Sequence, residues 1–316
     1  MSVHAADGTW TSVTSGGTWS NTANWSGAVV ADGSGSTANL STADLPAGTF
    51  TLSLDTNRTI KSINFGDADG VTTAGTWSVT GATTLTLDGT TPTLTADVAT
   101  TIAPVIAGTA GLTKSGAASL ILTNANTLSG GITVSAGQLT TKNGAALGSN
   151  TLTLANGTTY RYERTTGNVS TFQGNAITLP TGASATITTD NAANGYSGII
   201  TGDATSTFTI GATGATTQCS FSLGANTQQF GPMLGRVEIF DGASLRFSST
   251  SGVNNGGASA IKQHQELDLN LGYQHFREYH YPECSHGPLG LPCRKRNCFR
   301  FRWCHWNGHL FRWRAQ

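Results

Sequence analysis

Charge is scarce in this chain. Only 11% of its 316 residues are Asp, Glu, Lys or Arg, against about 25% in an ordinary globular protein. That argues against the highly charged kind of disorder. Long apolar runs are missing as well, so no segment reads as a membrane-crossing helix. Heptads and strong helix formers are too few for a coiled coil, and no Gly-X-Y triplet period points to collagen. Before residue 261 the one cysteine is Cys219, and a lone Cys reads first as a small buried apolar residue. Phosphate-binding and dinucleotide-binding glycine fingerprints are absent. So is a Gly-x-Ser-x-Gly elbow with a downstream His. Nothing in the sequence calls for a cofactor.

Threonine and glycine fill the space. Gly supplies 40 residues and Thr 52, every Thr lying within residues 1–250. Short apolar/polar alternations recur from residue 50 onward. They include Thr51–Leu54, Ser62–Phe65, Trp77–Thr80, Leu85–Leu87, Leu120–Thr123, Ile132–Val134, Leu152–Leu154, Ile177–Leu179, Phe208–Ile210, Val237–Ile239 and Leu245–Phe247. A period of two sends one side chain inward and the next outward, and Thr, Val and Ile suit a pleated surface. Turn residues interrupt these runs about every 8–12 positions, the all-β signal. A single sandwich needs far fewer strands than this. A β-solenoid fits best, each coil burying a few Leu, Ile or Val against the next and showing Thr, Ser and Asn outside. Two tandem sandwiches are the alternative. Residues 1–45, with Trp10, Trp19 and Trp25 among Gly, Ser, Thr and Asn, read as an N-terminal cap, and residues 46–260 as the solenoid.

The composition breaks after Ala260. Residues 1–260 carry 8 Lys+Arg and 13 Asp+Glu, net −5; residues 261–316 carry 9 and 4, net +5. The tail has no Thr, and it holds Cys284, Cys293, Cys298 and Cys304 with His286, His305 and His309. Those residue types can ligate zinc, but no Cys-x2-Cys pair occurs. A basic aromatic nucleic-acid patch and a membrane-binding arm are two further readings of Arg294 to Arg314. The genetic code offers a simpler one. Shifted by one base, codons for Phe299–Trp306 can encode Ser, Gly, Ala and Thr, the composition of the body. The tail is therefore expected to be frameshifted, non-native and unstructured, and is set aside in reading the fold. At the other end, Val3-His4-Ala5 resembles the close of a secretory cleavage site. With abundant Thr, Asn and Gly it leads to the expectation of an exported protein, the chain starting just inside or just after a lost signal peptide.

The stretch Gly111-Leu-Thr-Lys-Ser-Gly-Ala-Ala-Ser-Leu-Ile-Leu-Thr-Asn-Ala-Asn-Thr-Leu-Ser-Gly-Gly-Ile-Thr-Val-Ser-Ala-Gly-Gln-Leu139 resembles the autotransporter-associated β-strand repeat of bacterial autotransporter passengers. Ala118 stands where that repeat usually has its second Gly, Leu128 where it has Tyr, and Gly131-Ile132 where it has Gly-Thr. None of these breaks the alternation. Gly17–Trp25 resembles the Trp segment that opens such passengers, and Phe230–Phe247 resembles later strands. The resemblance implies a right-handed parallel β-helix, secreted or displayed at the cell surface, with no shared catalytic residues to carry over.

Three local features invite chemistry. Asp67-Ala-Asp69-Gly70 is half of a calcium loop or a plain acidic turn; it lacks further ligands, so no metal is expected. Arg161, Glu163 and Arg164, following Tyr160 and flanking Tyr162, suit a polysaccharide lyase or, more simply, an exposed strand of alternating charge. Trp10, Trp19 and Trp25 offer a platform for sugar rings or a packed cap. The expectation is a non-catalytic, adhesin-like surface segment whose partners are surface glycans or extracellular matrix polymers. Its mildly acidic body disfavours nucleic acid, and no membrane span is expected in this chain. The alternatives are a polysaccharide lyase or hydrolase on a β-helix, and a carbohydrate-binding module built on the tryptophans.

Overall fold

The computed structural model describes residues 5–69, 75–163, 172–189, 195–196 and 198–211, and strand segments at 220–221, 236–239, 244–245, 270–271, 301–306 and 309–314. Residues 1–272 and 273–316 form two separate units. The first is a β-solenoid. Its strands pair in parallel, and the helical content of the described residues is two short 3-10 turns, Thr22–Asn24 and Ser26–Ala28.

Three walls recur along the chain. Sheet I stacks nine strands: Gly8–Thr9, Thr37–Leu40, Ser62–Phe65, Thr93–Ala96, Leu112–Ser115, Ile132–Val134, Leu152–Leu154, Ile177–Thr178 and Ile200–Thr201. Sheet II stacks eleven, from Gly17–Thr18 through Gly48–Ser53, Gly75–Thr80 and Ser119–Leu122 to Asn270–Leu271. The third wall is a four-stranded sheet from Arg58–Ile60 to Thr127–Leu128. Later in the chain it is a second four-stranded sheet from Phe172–Gln173 to Ser244–Leu245. The first strands of sheets I and II lie within the Trp-rich opening segment, so the sheets begin there.

Alternation sets the register. In the interior of sheet I, Ala38, Ile63, Leu94, Lys114, Val134 and Leu154 stack in one column. Leu112, Ile132, Leu152, Ile177 and Ile200 form another. With the inward residues of the other walls they make one continuous apolar core from Trp10 to Ile210. Each fully buried Leu, Ile or Phe contributes about 1.5–3 kcal/mol relative to exposure. One coil advances 20 residues between Leu112, Ile132 and Leu152. Elsewhere the step is longer, from Ile63 to Leu94 for example.

In four successive coils the corner between sheets I and II is a glycine. Gly116, Gly137, Gly157 and Gly182 sit there with φ between 64° and 79°. A Cβ at Gly116 would lie 2.3 Å from the Ala96 carbonyl oxygen of the preceding coil. At the third wall, buried asparagines replace ladder bonds with side-chain ones. Asn126 accepts from the Ile106 amide and donates to the Ala146 carbonyl, both at 2.8 Å. Asn150 donates to the carbonyls of Leu128 and Leu147.

The N-terminal end is closed by residues that fold back on the first coils. Antiparallel bridges join Ala6 to Asp32 and Trp10 to Trp25. Three carboxylates then tie this segment to the coils. Asp7 accepts from the Thr37 amide. Asp32 accepts from the Thr59 amide and pairs with Arg58 at 2.8 Å. Asp55 accepts from the amide and hydroxyl of Ser20.

The second unit contains an antiparallel hairpin, Phe301–Trp306 with His309–Arg314. This is a different architecture from the parallel solenoid.

Candidate binding surface

The outer face of sheet I carries hydroxyls in register. Thr37, Ser62, Thr93, Thr113, Thr133, Thr153, Thr178 and Thr201 pair strand to strand in one unbroken column. Beside it runs a second column: Thr9, Asn39, Asn64, Thr95 and Ser115. All are half-exposed. Neighbouring strands stand about 4.7–4.9 Å apart, and positions two apart on a strand about 6.5–7 Å apart. The face is therefore a grid of hydroxyl and amide groups. Within it the Thr95 and Ser115 hydroxyls are 2.9 Å apart, and the Thr201 hydroxyl donates to that of Thr178 at 3.2 Å. Neither column contains a charged residue.

Sheet II differs. Its outer column of Thr51, Ser78, Thr101, Ile121, Thr140, Arg161 and Thr188 is broken by an isoleucine and an arginine. Glu163 pairs with Arg161 at 2.5 Å and with Lys142 at 3.1 Å. These groups are partly solvated, and such pairs contribute about 0–1 kcal/mol each. Of the suggested lyase cluster, Arg161 and Glu163 thus form a surface ion-pair group with Lys142. The neighbouring tyrosines, Tyr160 and Tyr162, point inward and are buried. The Tyr160 hydroxyl lies 2.8 Å from that of Thr141, and burial pushes its pKa well above the ordinary range. Arg164 lies outside the described residues.

The three tryptophans pack on one another. Trp10 and Trp25 meet edge to face at 5.2 Å, and Trp19 and Trp25 at 5.1 Å. Their exposures are 0%, 0% and 3% in chain order. Each indole N–H is satisfied internally, by the carbonyls of Ser12, Ala31 and Trp19 for Trp10, Trp19 and Trp25. No indole face is open to a sugar ring. The stacking platform gives way to a packed core, because burying these large rings closes the end of the apolar interior.

Asp44, Asp67 and Asp69 come within 4.8 Å of one another, bringing together the acidic pair noted in the sequence and one further carboxylate. Asp67 is already committed, however. One oxygen accepts from the Leu45 amide at 2.9 Å and the other from the Gly75 amide at 3.2 Å. Those bonds tie Asp67 to the preceding coil and to the first residue of the sheet II strand Gly75–Thr80.

Lys114 is the residue that sequence reasoning missed. It occupies an inward position between Leu94 and Val134 and is 0% exposed. Its ammonium donates to three backbone carbonyls: Gly116 and Ala118 of its own coil at 2.6 Å, and Ala136 of the next coil at 2.8 Å. All three N–H donors are used. Burial pushes its pKa down to about 8, with Asp97 pulling the other way. A lysine at an inward alternation position is the one available signal, and from sequence it looks like a slip of register.

Of the tail residues weighed as zinc ligands, Cys284, Cys293, Cys298 and His286 lie outside the described residues. Cys304, His305 and His309 fall on the hairpin strands, where the backbone alone is described. Among the described residues no helix is long and apolar enough to cross a membrane.

Comparison with known proteins bears on this surface. Residues 112–140 match the passenger-associated-transport-repeat family. Over 181 residues, 56% of this chain, the sequence is 37% identical to the adhesin BmaC autotransporter of Brucella suis biovar 1 (strain 1330). The chain spans about 5% of that relative's length. No solved structure matches it.

Proposed function

We infer that this autotransporter-passenger-like chain, secreted or displayed at the bacterial cell surface, is a segment of a surface adhesin without catalytic activity of its own. The observation that supports this best is the repeat itself. Residues 112–140, matched to passenger repeats, form one and a half coils of an uninterrupted solenoid. They run from sheet I through sheet II and the third wall, then back to sheets I and II. Such a stack is a stiff rod with a long repeating surface. Contact with surface glycans or matrix polymers then comes from many weak polar interactions acting together. The enzyme alternative finds little support. In the acidic trio of Asp44, Asp67 and Asp69, Asp67 holds backbone amides, and Arg161 and Glu163 belong to a solvated pair network.

Beads coated with the full chain provide the test. Adhesion to cultured epithelial cells and to immobilised matrix, above albumin-coated beads, is the expected result. Absence of adhesion to both, or release of unsaturated or reducing sugar ends from polysaccharides, would overturn the reading.

A further inference from the structure

We propose that the outer face of sheet I is a docking surface for a neutral, linear polysaccharide lying along the solenoid axis. This rests on the adhesin-type reading and names its partner. The first argument is continuity. The Thr37-to-Thr201 column crosses eight strands without a gap, so the groups that meet a ligand repeat along the axis. A ligand that repeats in the same direction gains a contact at every strand, and a single sugar gains almost none.

Charge is the second argument. The two columns hold Thr, Ser and Asn alone, while the equivalent face of sheet II carries Lys142, Arg161 and Glu163. A polyanion laid on sheet I would shed water from its charges and find no cation in either column. A neutral polyol has no such cost. Its hydroxyls can donate to and accept from threonine hydroxyls, each of which has one donor and two acceptor sites. The threonine methyls offer apolar contact to the C–H faces of the sugar rings.

Rigidity is the third. A β-branched side chain on a sheet is restricted at χ1 before anything binds, so little side-chain freedom is lost on docking. The partly bonded pairs, Thr95 with Ser115 and Thr178 with Thr201, hold their hydroxyls in place and keep acceptor sites open.

Affinity electrophoresis of the full chain tests this, in gels containing hydroxyethylcellulose, dextran, soluble mannan or amylose dextrin, with alginate as the polyanion. The variant Thr113→Val/Thr133→Val/Thr153→Val removes hydroxyls from the centre of the column and keeps shape and strand preference. Thr159→Val/Thr186→Val removes two paired, half-exposed hydroxyls from a neighbouring outward column of sheet II. The expected result is retardation by at least one neutral polymer, insensitive to salt, weakened about tenfold or more by the sheet I variant. The sheet II variant should behave as the parent. Equal loss in both variants overturns the choice of face. Retardation by alginate alone, or by nothing while coated beads still adhere to cells, overturns the polysaccharide and leaves the adhesin reading standing. Loss of bead adhesion as well removes both.

Discussion

Replacing Lys114 by Met is the sharpest single perturbation of this fold. Methionine keeps a similar length and apolar stem, so the Leu94–Val134 column stays filled. What disappears is an ammonium bound to the carbonyls of Gly116, Ala118 and Ala136. Each buried acceptor left without its partner costs about 1–3 kcal/mol. Relief of the ammonium's own desolvation, several kcal/mol, offsets part of that sum. The expected net loss is about 2–4 kcal/mol, or about 5–15 °C in melting temperature for a body of this size. Thermal unfolding followed by circular dichroism reads it directly. The pH dependence supplies a second check. The folded pKa, about 8, lies below the 10.5 of a free lysine. Between the two the unfolded chain holds more protons, so the parent gains stability as pH rises through this window. Methionine does not titrate, so the gap between parent and variant should widen from pH 8 toward pH 10. A variant as stable as the parent would refute the reasoning: the buried charge would then be a net burden that hydrophobic replacement relieves. A gap that narrows with rising pH would refute the assigned shift.

Other expected outcomes follow from single contacts. Gly116→Ala places a Cβ against the Ala96 carbonyl at positive φ, and a loss of about 2–4 kcal/mol in urea unfolding is expected from that strain together with the shift it forces. Trp77→Ala removes a ring packed on Phe50 and bonded to the Gly66 carbonyl, costing about 3–5 kcal/mol by the same assay. Thr141→Val strands the Tyr160 hydroxyl and should cost about 1–3 kcal/mol. It should also raise the alkaline midpoint of the tyrosinate absorbance further. Burial holds Tyr160 and Tyr196 above the ordinary phenol range, so stability should fall as pH rises above 10, where unfolded tyrosines release protons first. Flat melting curves from pH 10 to 11 would contradict this.

The walls of the solenoid were legible where alternation is clean. Ser62–Phe65, Ile132–Val134 and Leu152–Leu154 are read from sequence with the bounds the structure gives them. Strands such as Thr100–Ile102 and Val105–Gly108 are no shorter but too weakly patterned to stand out, and they form because flanking coils supply their partners. The alignment of the hydroxyl column was not legible either. Period two predicts that Thr113 points outward, but not that it faces Thr93 and Thr133, since coil length varies between steps. The tryptophans show the opposite difficulty. Their chemistry suits core packing first and an exposed platform second, and the ring geometry, with Trp25 wedged between Trp10 and Trp19, decides.

The direction of the hydrogen bonds has a mechanical consequence. In a stack of parallel coils the ladder bonds run along the long axis. A pull on the chain ends therefore opens a coil's few bonds in succession, as a zipper opens, and does not load every bond of a sheet at once in shear. A tethered rod of this kind yields in quanta. In the stretch from Leu112 to Leu154, where one turn is 20 residues, each quantum releases about 66–72 Å of extended chain. Lys114 crosses such a boundary by holding Ala136, so peeling should pause there. A single-molecule trace would show that pause as a taller peak, and Lys114→Met would flatten it.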